Sequence, residues 1–270
     1  MGQPVAGNPT QFMMERAFVA ADIDWRYLTL EVSPENLADG IRGIRAMGFL
    51  GGHLTIPHKV AVVQHLDKLT EAAELAGAVN CVYRKGHLLV GEDTDGKGFI
   101  QSLQSITNPK RKKVVVFGAG GAARAIAVEL GLARAAEITI VNRTAQRGQA
   151  LVDLLNDRVD VPAKFVHLSG DYAVEEGTNI VVNATSIGFG DADARVPLDI
   201  ESLSPDALVA DLIFNPPDTK LIRDAVARGC TTLDGLGMLV SQAALAFKIW
   251  TGVKPDVAVM REALEEYLEI

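Results

Sequence analysis

Gly118-Ala119-Gly120-Gly121-Ala122-Ala123 follows directly on the apolar run Val114-Val115-Val116-Phe117 and opens a small-residue segment reaching Leu130. A strand buried on both faces needs such a continuous run, and a glycine turn leading from it into a helix is a phosphate-binding device. Gly118 allows the tight turn, Gly120 lets a pyrophosphate come against the backbone, and Ala123 keeps the helix close to the sheet. Free N–H groups and the positive dipole end at the start of the helix then meet the anion. Gly118, Ala119, Gly120, Gly121 and Ala122 are accordingly expected to hold a dinucleotide. The end of the following strand decides which one, because an Asp or Glu there would hydrogen-bond free ribose hydroxyls. The chain carries Asn142-Arg143-Thr144 instead, with Arg147 a turn later. A carboxylate would repel a 2′-phosphate, whereas guanidinium forks grip one, so the expected cofactor is NADP.

The elements that must present this loop alternate between strand and helix, as in an α/β protein with parallel sheets. Residues 26–32 and 49–56 read as strands, the second ending at Pro57. Residues 34–47 place Leu37, Ile41 and Ile44 at helical spacing, and a further helix begins at Lys59 and runs toward Leu66. Residues 79–83 and 87–90 read as a hairpin across Lys85-Gly86. Residues 137–141, 179–182 and 207–213 supply more buried strands, and the chain from Leu239 reads as two helices around a turn at 252–255.

Composition narrows the function. With 270 residues, 48% hydrophobic and 22% charged, the chain suits two modest folded domains and excludes wholesale disorder, a collagen-like repeat or a coiled coil. A net charge of −8 argues against a nucleic-acid-binding surface, and Lys110-Arg111-Lys112-Lys113 reads as a solvated linker. Cys81 and Cys230 build neither a disulfide framework nor a zinc spacing, which points to a reducing cytoplasm. No apolar run is long enough to span a membrane, and no secretory leader is expected. His53 and His58, beside Asp93 and Asp95, are spaced for no standard helix face, so no metal is expected. The partner is then a small-molecule substrate, with neither nucleic acid nor membrane, in a monomer or homodimer.

Several short motifs recur in a fixed order. Leu54-Thr55-Ile56-Pro57-His58-Lys59 is similar to N-V-T-x-P-x-K, Gly77-Ala78-Val79-Asn80 to G-A-V-N, and Thr94-Asp95-Gly96 to the end of N-T-D-G. Asn183-Ala184-Thr185-Ser186, the run from Asp234 to Val240, and Gln242-Ala243-Ala244 follow. Over nearly its whole length the chain resembles the shikimate dehydrogenase family. That resemblance implies a two-domain α/β fold: an N-terminal α/β substrate domain, residues 1–101 completed by helices in 239–270, and a Rossmann-type, doubly wound NADP-binding domain, residues 102–238, with a cleft between them. It also implies reversible hydride transfer between NADPH and the ketone of 3-dehydroshikimate or a close analogue, in the shikimate pathway of aromatic amino acid biosynthesis.

Read alone, a lysine after Pro-His suits a helix surface and an aspartate before glycine suits a turn. The resemblance makes Lys59 and Asp95 the catalytic pair. Reduction of a ketone needs a proton donor within reach of the developing alkoxide, and a neighbouring carboxylate keeps the ammonium charged and oriented while low-dielectric surroundings pull its pKa down. Asn80 and Gln242 resemble the family's hydroxyl-binding amides, which donate and accept without adding charge, and Thr55 is a further polar contact. Thr185, Gly235 and Met238 join the cofactor set, with Met238 beside the nicotinamide.

Departures from the family cluster on substrate recognition. Asn8 and Thr10 stand where a Ser-x-Ser pair usually holds the substrate carboxylate, and His53 replaces the asparagine opening N-V-T-x-P-x-K. Asp93 replaces the asparagine of N-T-D-G, and Phe214 a substrate-contacting tyrosine. The chain starts almost at the Gly-x-Pro turn, so most of the usual first strand is expected to be absent. The expected substrate is therefore a relative of shikimate with an altered carboxylate or ring substituent, Asn8 and Thr10 donating to a carboxylate and a protonated His53 adding charge. Quinate or an aminoshikimate are alternatives. A non-catalytic ligand sensor is another, although it would not need both Lys59 and Asp95. A folate-type methylene dehydrogenase shares the two-domain plan but leaves Thr94-Asp95-Gly96 and Gln242 unexplained.

Overall fold

The computed structural model describes residues 1–270, and the chain partitions into Met1–Gly98 with Val240–Ile270, and Phe99–Leu239. In the first unit, α1 (Thr10–Ala20) and α2 (Leu37–Ala46) precede β1 (Gly51–His53), α3 (His58–Ala61), β2 (Lys68–Leu69), α4 (Glu71–Ala76), β3 (Cys81–Lys85) and β4 (Leu88–Glu92). The helix α5 (Thr94–Gln104) follows at once. The four strands form one sheet in the order β1-β3-β4-β2, antiparallel except for β2 against β4.

Leu37, Ile41 and Ile44, one face of α2, are buried with Leu54, Val62, Val79, Val82 and Leu89. The Thr70 hydroxyl caps α4 by accepting from the Ala73 N–H, and Gly77, at φ 61°, ends it in the left-handed region that glycine enters without strain. The hairpin expected in residues 79–90 forms as β3 and β4, paired from Cys81↔Glu92 to Lys85↔Leu88.

Two expected strands are reduced. Residues 26–32 form only one parallel bridge, Gly2↔Glu31, because side chains of α1 take their donors: Glu15 accepts the Tyr27 N–H at 2.5 Å and Gln11 the Thr29 N–H at 3.0 Å. Of residues 49–56 only Gly51–His53 is laddered, although the Leu54 N–H still bonds the Asn80 carbonyl at 2.7 Å. The helix expected from Lys59 forms as α3 followed by a 3₁₀ turn, Val62–His65. His58 is buried, and its Nε2 lies 2.7 Å from the Val32 carbonyl, tying α3 to the preceding segment.

The second unit runs β5 (Lys113–Phe117), α6 (Gly121–Leu132), β6 (Glu137–Asn142), α7 (Ala145–Leu154), β7 (Ala163–His167), β8 (Tyr172–Ala173), β9 (Ile180–Asn183), β10 (Leu198–Asp199), β11 (Leu208–Asp211), α8 (Lys220–Ala227) and β12 (Thr231–Leu233). Six strands pair in parallel in the order β12-β11-β9-β5-β6-β7. Read from β7, that is the 3-2-1-4-5-6 order of a doubly wound nucleotide fold, whose ligand crevice opens where the order reverses, here between β5 and β9. Phe117 and Asp211 both register with Asn183, so three strand ends line up at that crevice. Every strand residue from Val114 to Phe117 and from Ile180 to Asn183 is buried, as helices on both faces require.

The chain ends in α9 (Gly235–Thr251) and α10 (Val257–Leu268). Asp256 caps α10 through the N–H groups of Ala258 and Val259. That helix lies along α1, with Phe12 and Tyr267 ring centroids 5.8 Å apart and Arg16 paired to Glu266 at 2.9 Å.

Candidate active site

Two polar centres stand out, one in each unit. In the first, Lys59 sits in the short helix α3, with its carbonyl accepting the Val79 N–H at 2.8 Å. That bond places the segment carrying Lys59 beside the one carrying Asn80. The Lys59 Nζ donates to Asp95 Oδ2 at 2.6 Å, with side chains only 22% and 10% exposed. Asp95 lies in the first turn of α5, where the helix dipole favours negative charge. Asn80 Nδ2 donates to Asp95 Oδ1 at 2.9 Å, and Asn80 Oδ1 accepts the Thr94 N–H at 2.7 Å. Gln242 Oε1 is 3.3 Å from Asn80 Nδ2 and 3.4 Å from Thr94 Oγ1. The structure thus brings Lys59, Asp95, Asn80 and Gln242 into one buried cluster. Asn80, only 2% exposed, spends both ends of its amide on Thr94 and Asp95, so its effect is to fix the carboxylate.

Burial works to lower the Lys59 pKa, but the charge and hydrogen bond of Asp95, with a further pull from Asp93, outweigh it and leave the value raised. The expected downward pull of low-dielectric surroundings is present and overcome. Lys59 is therefore an ammonium at neutral pH, the form that donates a proton.

The backbone approach behind this cluster requires glycine. A Cβ on Gly98 would stand 2.7 Å from the Gln242 nitrogen and 2.8 Å from its Cβ. Since both contacts are close to helix backbone, Gly98→Ala is expected to lose about 1–3 kcal/mol, read as a lowered urea midpoint at unchanged m-value. An unshifted midpoint would show that α5 and α9 do not meet as tightly as these positions indicate.

The remaining substrate-side residues are less closely tied. Asn8 Oδ1 accepts the Thr10 N–H at 2.9 Å at the start of α1, and Thr55 bonds the Met1 carbonyl through its N–H. None of the three is hydrogen-bonded to Lys59 or Asp95. His53 corrects the expectation of a charged imidazole. Burial, the amino terminus and Lys59 hold its pKa down at about 3, against an opposing pull from Asp95, so it is neutral at physiological pH. Its Nδ1 is 2.9 Å from the Tyr27 hydroxyl, while Nε2 is shielded from solvent and has no partner.

The second centre is the loop from β5 into α6. Gly118 has φ 110°, and a Cβ there would stand 2.9 Å from the Ala184 carbonyl oxygen at the end of β9. Glycine is required twice over, by conformation and by close approach. Gly120 precedes α6 with no side-chain cap, and neither Gly120 nor Gly121 has a heavy atom within 4 Å of where a Cβ would stand. Uncapped N–H groups under open space are what a pyrophosphate needs. At the end of β6, Asn142 Nδ2 donates to the Thr144 carbonyl at 2.9 Å and braces the turn. Arg143 and Arg147 are exposed and take part in no ion pair, which leaves two guanidinium forks for a phosphate. These residues fit NADP.

Sequence reading missed the support beneath this loop. Asn183 and Asp211 are fully buried; Asn183 Nδ2 donates to Asp211 Oδ1 at 2.9 Å, and Thr219 Oγ1 to Asp211 Oδ2 at 2.7 Å. Burial raises the Asp211 pKa against these bonds. Thr185 donates its hydroxyl to Asn183 Oδ1 at 2.7 Å, so the side chain is spent on the turn and only its backbone is left for a ligand. The signal was the Asn-x-Thr spacing of a side-chain turn. Asp234 Oδ1 likewise accepts the N–H groups of Leu236 and Gly237 at the start of α9. A Cβ on Gly235 would meet the Leu212 and Ile213 carbonyl oxygens at 2.5 Å, so its glycine answers to packing. Met238 is buried on the same helix.

Comparison with known proteins identifies the family. Residues 1–82 match the model of the shikimate dehydrogenase substrate-binding domain, 101–187 that of shikimate/quinate 5-dehydrogenase, and 235–265 that of the shikimate 5′-dehydrogenase C-terminal domain. A shikimate dehydrogenase (NADP(+)) of Methanopyrus kandleri is 40% identical, over 99% of this chain and 94% of its own. The chain belongs to the shikimate dehydrogenase family. As a member it is an NADP-dependent oxidoreductase of the shikimate dehydrogenase type. Among solved structures, the shikimate 5-dehydrogenase of Thermus thermophilus, in complex with NADP(H) and shikimate, superposes with a TM-score of 0.88 at 34% identity, covering 99% of this chain and 97% of that one. The ligand-free 5-ketofructose reductase of a Gluconobacter strain superposes at 0.94 with 49% identity, covering 98% and 96%. No helix of this family member is long and apolar enough to cross a membrane.

Proposed function

We propose that this enzyme reduces the ketone of a neutral, polyhydroxylated substrate of the 5-ketofructose class, using NADPH, and runs the reverse oxidation when the alcohol is in excess. The observation that carries the reading is the charge around Lys59. A carboxylate, Asp93, stands two residues from Asp95 where the family usually has an amide, and the nearby imidazole of His53 is neutral. Above neutrality, where Asp93 is ionised, two carboxylates face one ammonium and disfavour an anionic substrate. The 49% identity to a 5-ketofructose reductase points the same way. Lys59 and Asp95, kept in full, support 3-dehydroshikimate as the second reading.

When bound, NADPH supplies the hydride to the carbonyl carbon. Lys59 donates its proton to the oxygen as negative charge grows there, and before transfer its ammonium stabilises that charge. Asp95 orients the amine and keeps it protonated, and Asn80 holds Asp95. Gln242, Thr55, Asn8 and Thr10 supply neutral donors and acceptors for ring or chain hydroxyls. Gly118, Ala119, Gly120, Gly121 and Ala122 receive the pyrophosphate, Asn142, Arg143, Thr144 and Arg147 the 2′-phosphate, and Thr185, Gly235 and Met238 the nicotinamide end. Both cysteines are buried free thiols, in keeping with a cytoplasmic enzyme.

The test is NADPH oxidation with 5-ketofructose and 3-dehydroshikimate side by side. We expect kcat/KM for the keto-sugar to exceed that for the acid by at least about tenfold, the scale of one unfavourable charge contact. A preference for 3-dehydroshikimate overturns the neutral-substrate reading and leaves the second.

A further inference from the structure

We propose that Asp93 is a positioning residue that couples the Lys59–Asp95 pair to pH, because the cap that orients Asp95 is itself an ionisable carboxyl. This deepens the reading above and rests on Lys59 and Asp95 being the proton-transfer pair.

Asp93 is 3% exposed. Its Oδ1 accepts the Asp95 N–H at 3.0 Å and the Gly96 N–H at 3.3 Å, so one carboxylate oxygen fixes the first turn of α5. Asp95 passes that order on through its 2.6 Å bond to Lys59. An amide at position 93 would make the same two bonds through its carbonyl oxygen and carry no charge. The aspartate keeps the cap and adds a titration.

The groups around it are these: Asp95 in the first turn of α5, Lys59 from α3, Glu92 at the end of β4 and the Cys81 thiol on β3. Glu92 is engaged elsewhere, with Lys97 at 3.0 Å and the Thr70 hydroxyl at 2.8 Å. Cys81 is held protonated by burial and by the carboxylates facing it. Asp93 and Asp95 therefore share a single cation. Burial, and then the charge of Asp95, push the Asp93 carboxyl up to about 7, while Lys59 and the two N–H groups pull the other way.

The sign follows. Below neutrality Asp93 is protonated, and Lys59 is held by Asp95 alone and gives up its proton more readily. Above neutrality the second negative charge tightens the ammonium and slows donation. A shift of about one unit in the donor's acidity alters a general-acid rate about threefold. The wild-type kcat for ketone reduction should thus step down about threefold as pH rises through neutrality.

Asp93→Asn should abolish that step, leave KM for the ketone within about twofold, and start the alkaline limb set by Lys59 at lower pH. Lys59→Ala is the control. If it turns over at near wild-type rate, the proton-transfer reading fails. If it is inactive while Asp93→Asn and wild type give superimposable pH profiles, only the role of Asp93 is overturned. Should the asparagine variant not fold, a carboxyl ¹³C titration of Asp93 in the wild-type enzyme decides, and an ordinary carboxylate midpoint overturns the proposal.

Discussion

Lys59→Ala is expected to lower kcat for ketone reduction by about three orders of magnitude while leaving NADPH binding unchanged. A positioned general acid contributes about 10²–10⁴-fold, and in the proposed mechanism the same group also meets the charge developing on oxygen. Both contributions leave with the side chain. The raised Lys59 pKa sets the main pH dependence: the donor stays charged through neutrality, so beyond the small step set by Asp93 the large loss of wild-type reduction comes on the alkaline side, and the residual activity of the variant should lack that loss. The substitution also leaves Asp95 in a mostly buried position with Asn80 as its remaining side-chain partner. Unpairing a buried charge costs stability, so thermal unfolding must be measured alongside. A variant that is folded, binds NADPH normally and retains kcat within about tenfold would remove Lys59 from the proton-transfer role.

Much of this was legible because the relevant signals are local. The β5–glycine–α6 unit follows from a continuous apolar run ending in Gly118 and Gly120, and strand and turn formed where those residues put them. Leu37, Ile41 and Ile44 gave α2 its buried face for the same reason. The strand expected in residues 26–32 did not form, because side chains of α1, Glu15 and Gln11, compete for its backbone donors, and no pattern within the segment reveals a competitor more than ten residues away. The Lys59–Asp95 pair was legible only through motif order. The two residues lie 36 positions apart, and neither has a local sequence environment that marks it as catalytic. The neutral state of His53 was illegible outright. Its charge is set by burial first and then by the amino terminus, so only the folded arrangement could reverse the expectation of a cation.

The proposed cofactor selectivity rests on a separate pair of cations, and removing them should have the second-largest effect. Arg143→Ala with Arg147→Ala is expected to raise KM for NADPH about a hundredfold while changing NADH kinetics less than about threefold. Each charge-assisted hydrogen bond to phosphate is worth about 1.5–3 kcal/mol; the lower end applies because both arginines are exposed and screened by salt. The selectivity of the double variant isolates the 2′-phosphate, since NADH differs from NADPH only in lacking that group. Raising ionic strength should narrow the wild-type preference and leave the variant unaffected, because only screened charges respond. Glycine positions cannot produce this pattern: blocking Gly120 would weaken both dinucleotides alike. If the double variant kept its preference for NADPH, the phosphate would have to be read by neutral donors such as Asn142 and Thr144, and the exposed guanidinium groups at the end of β6 would be solvated side chains with no part in recognition.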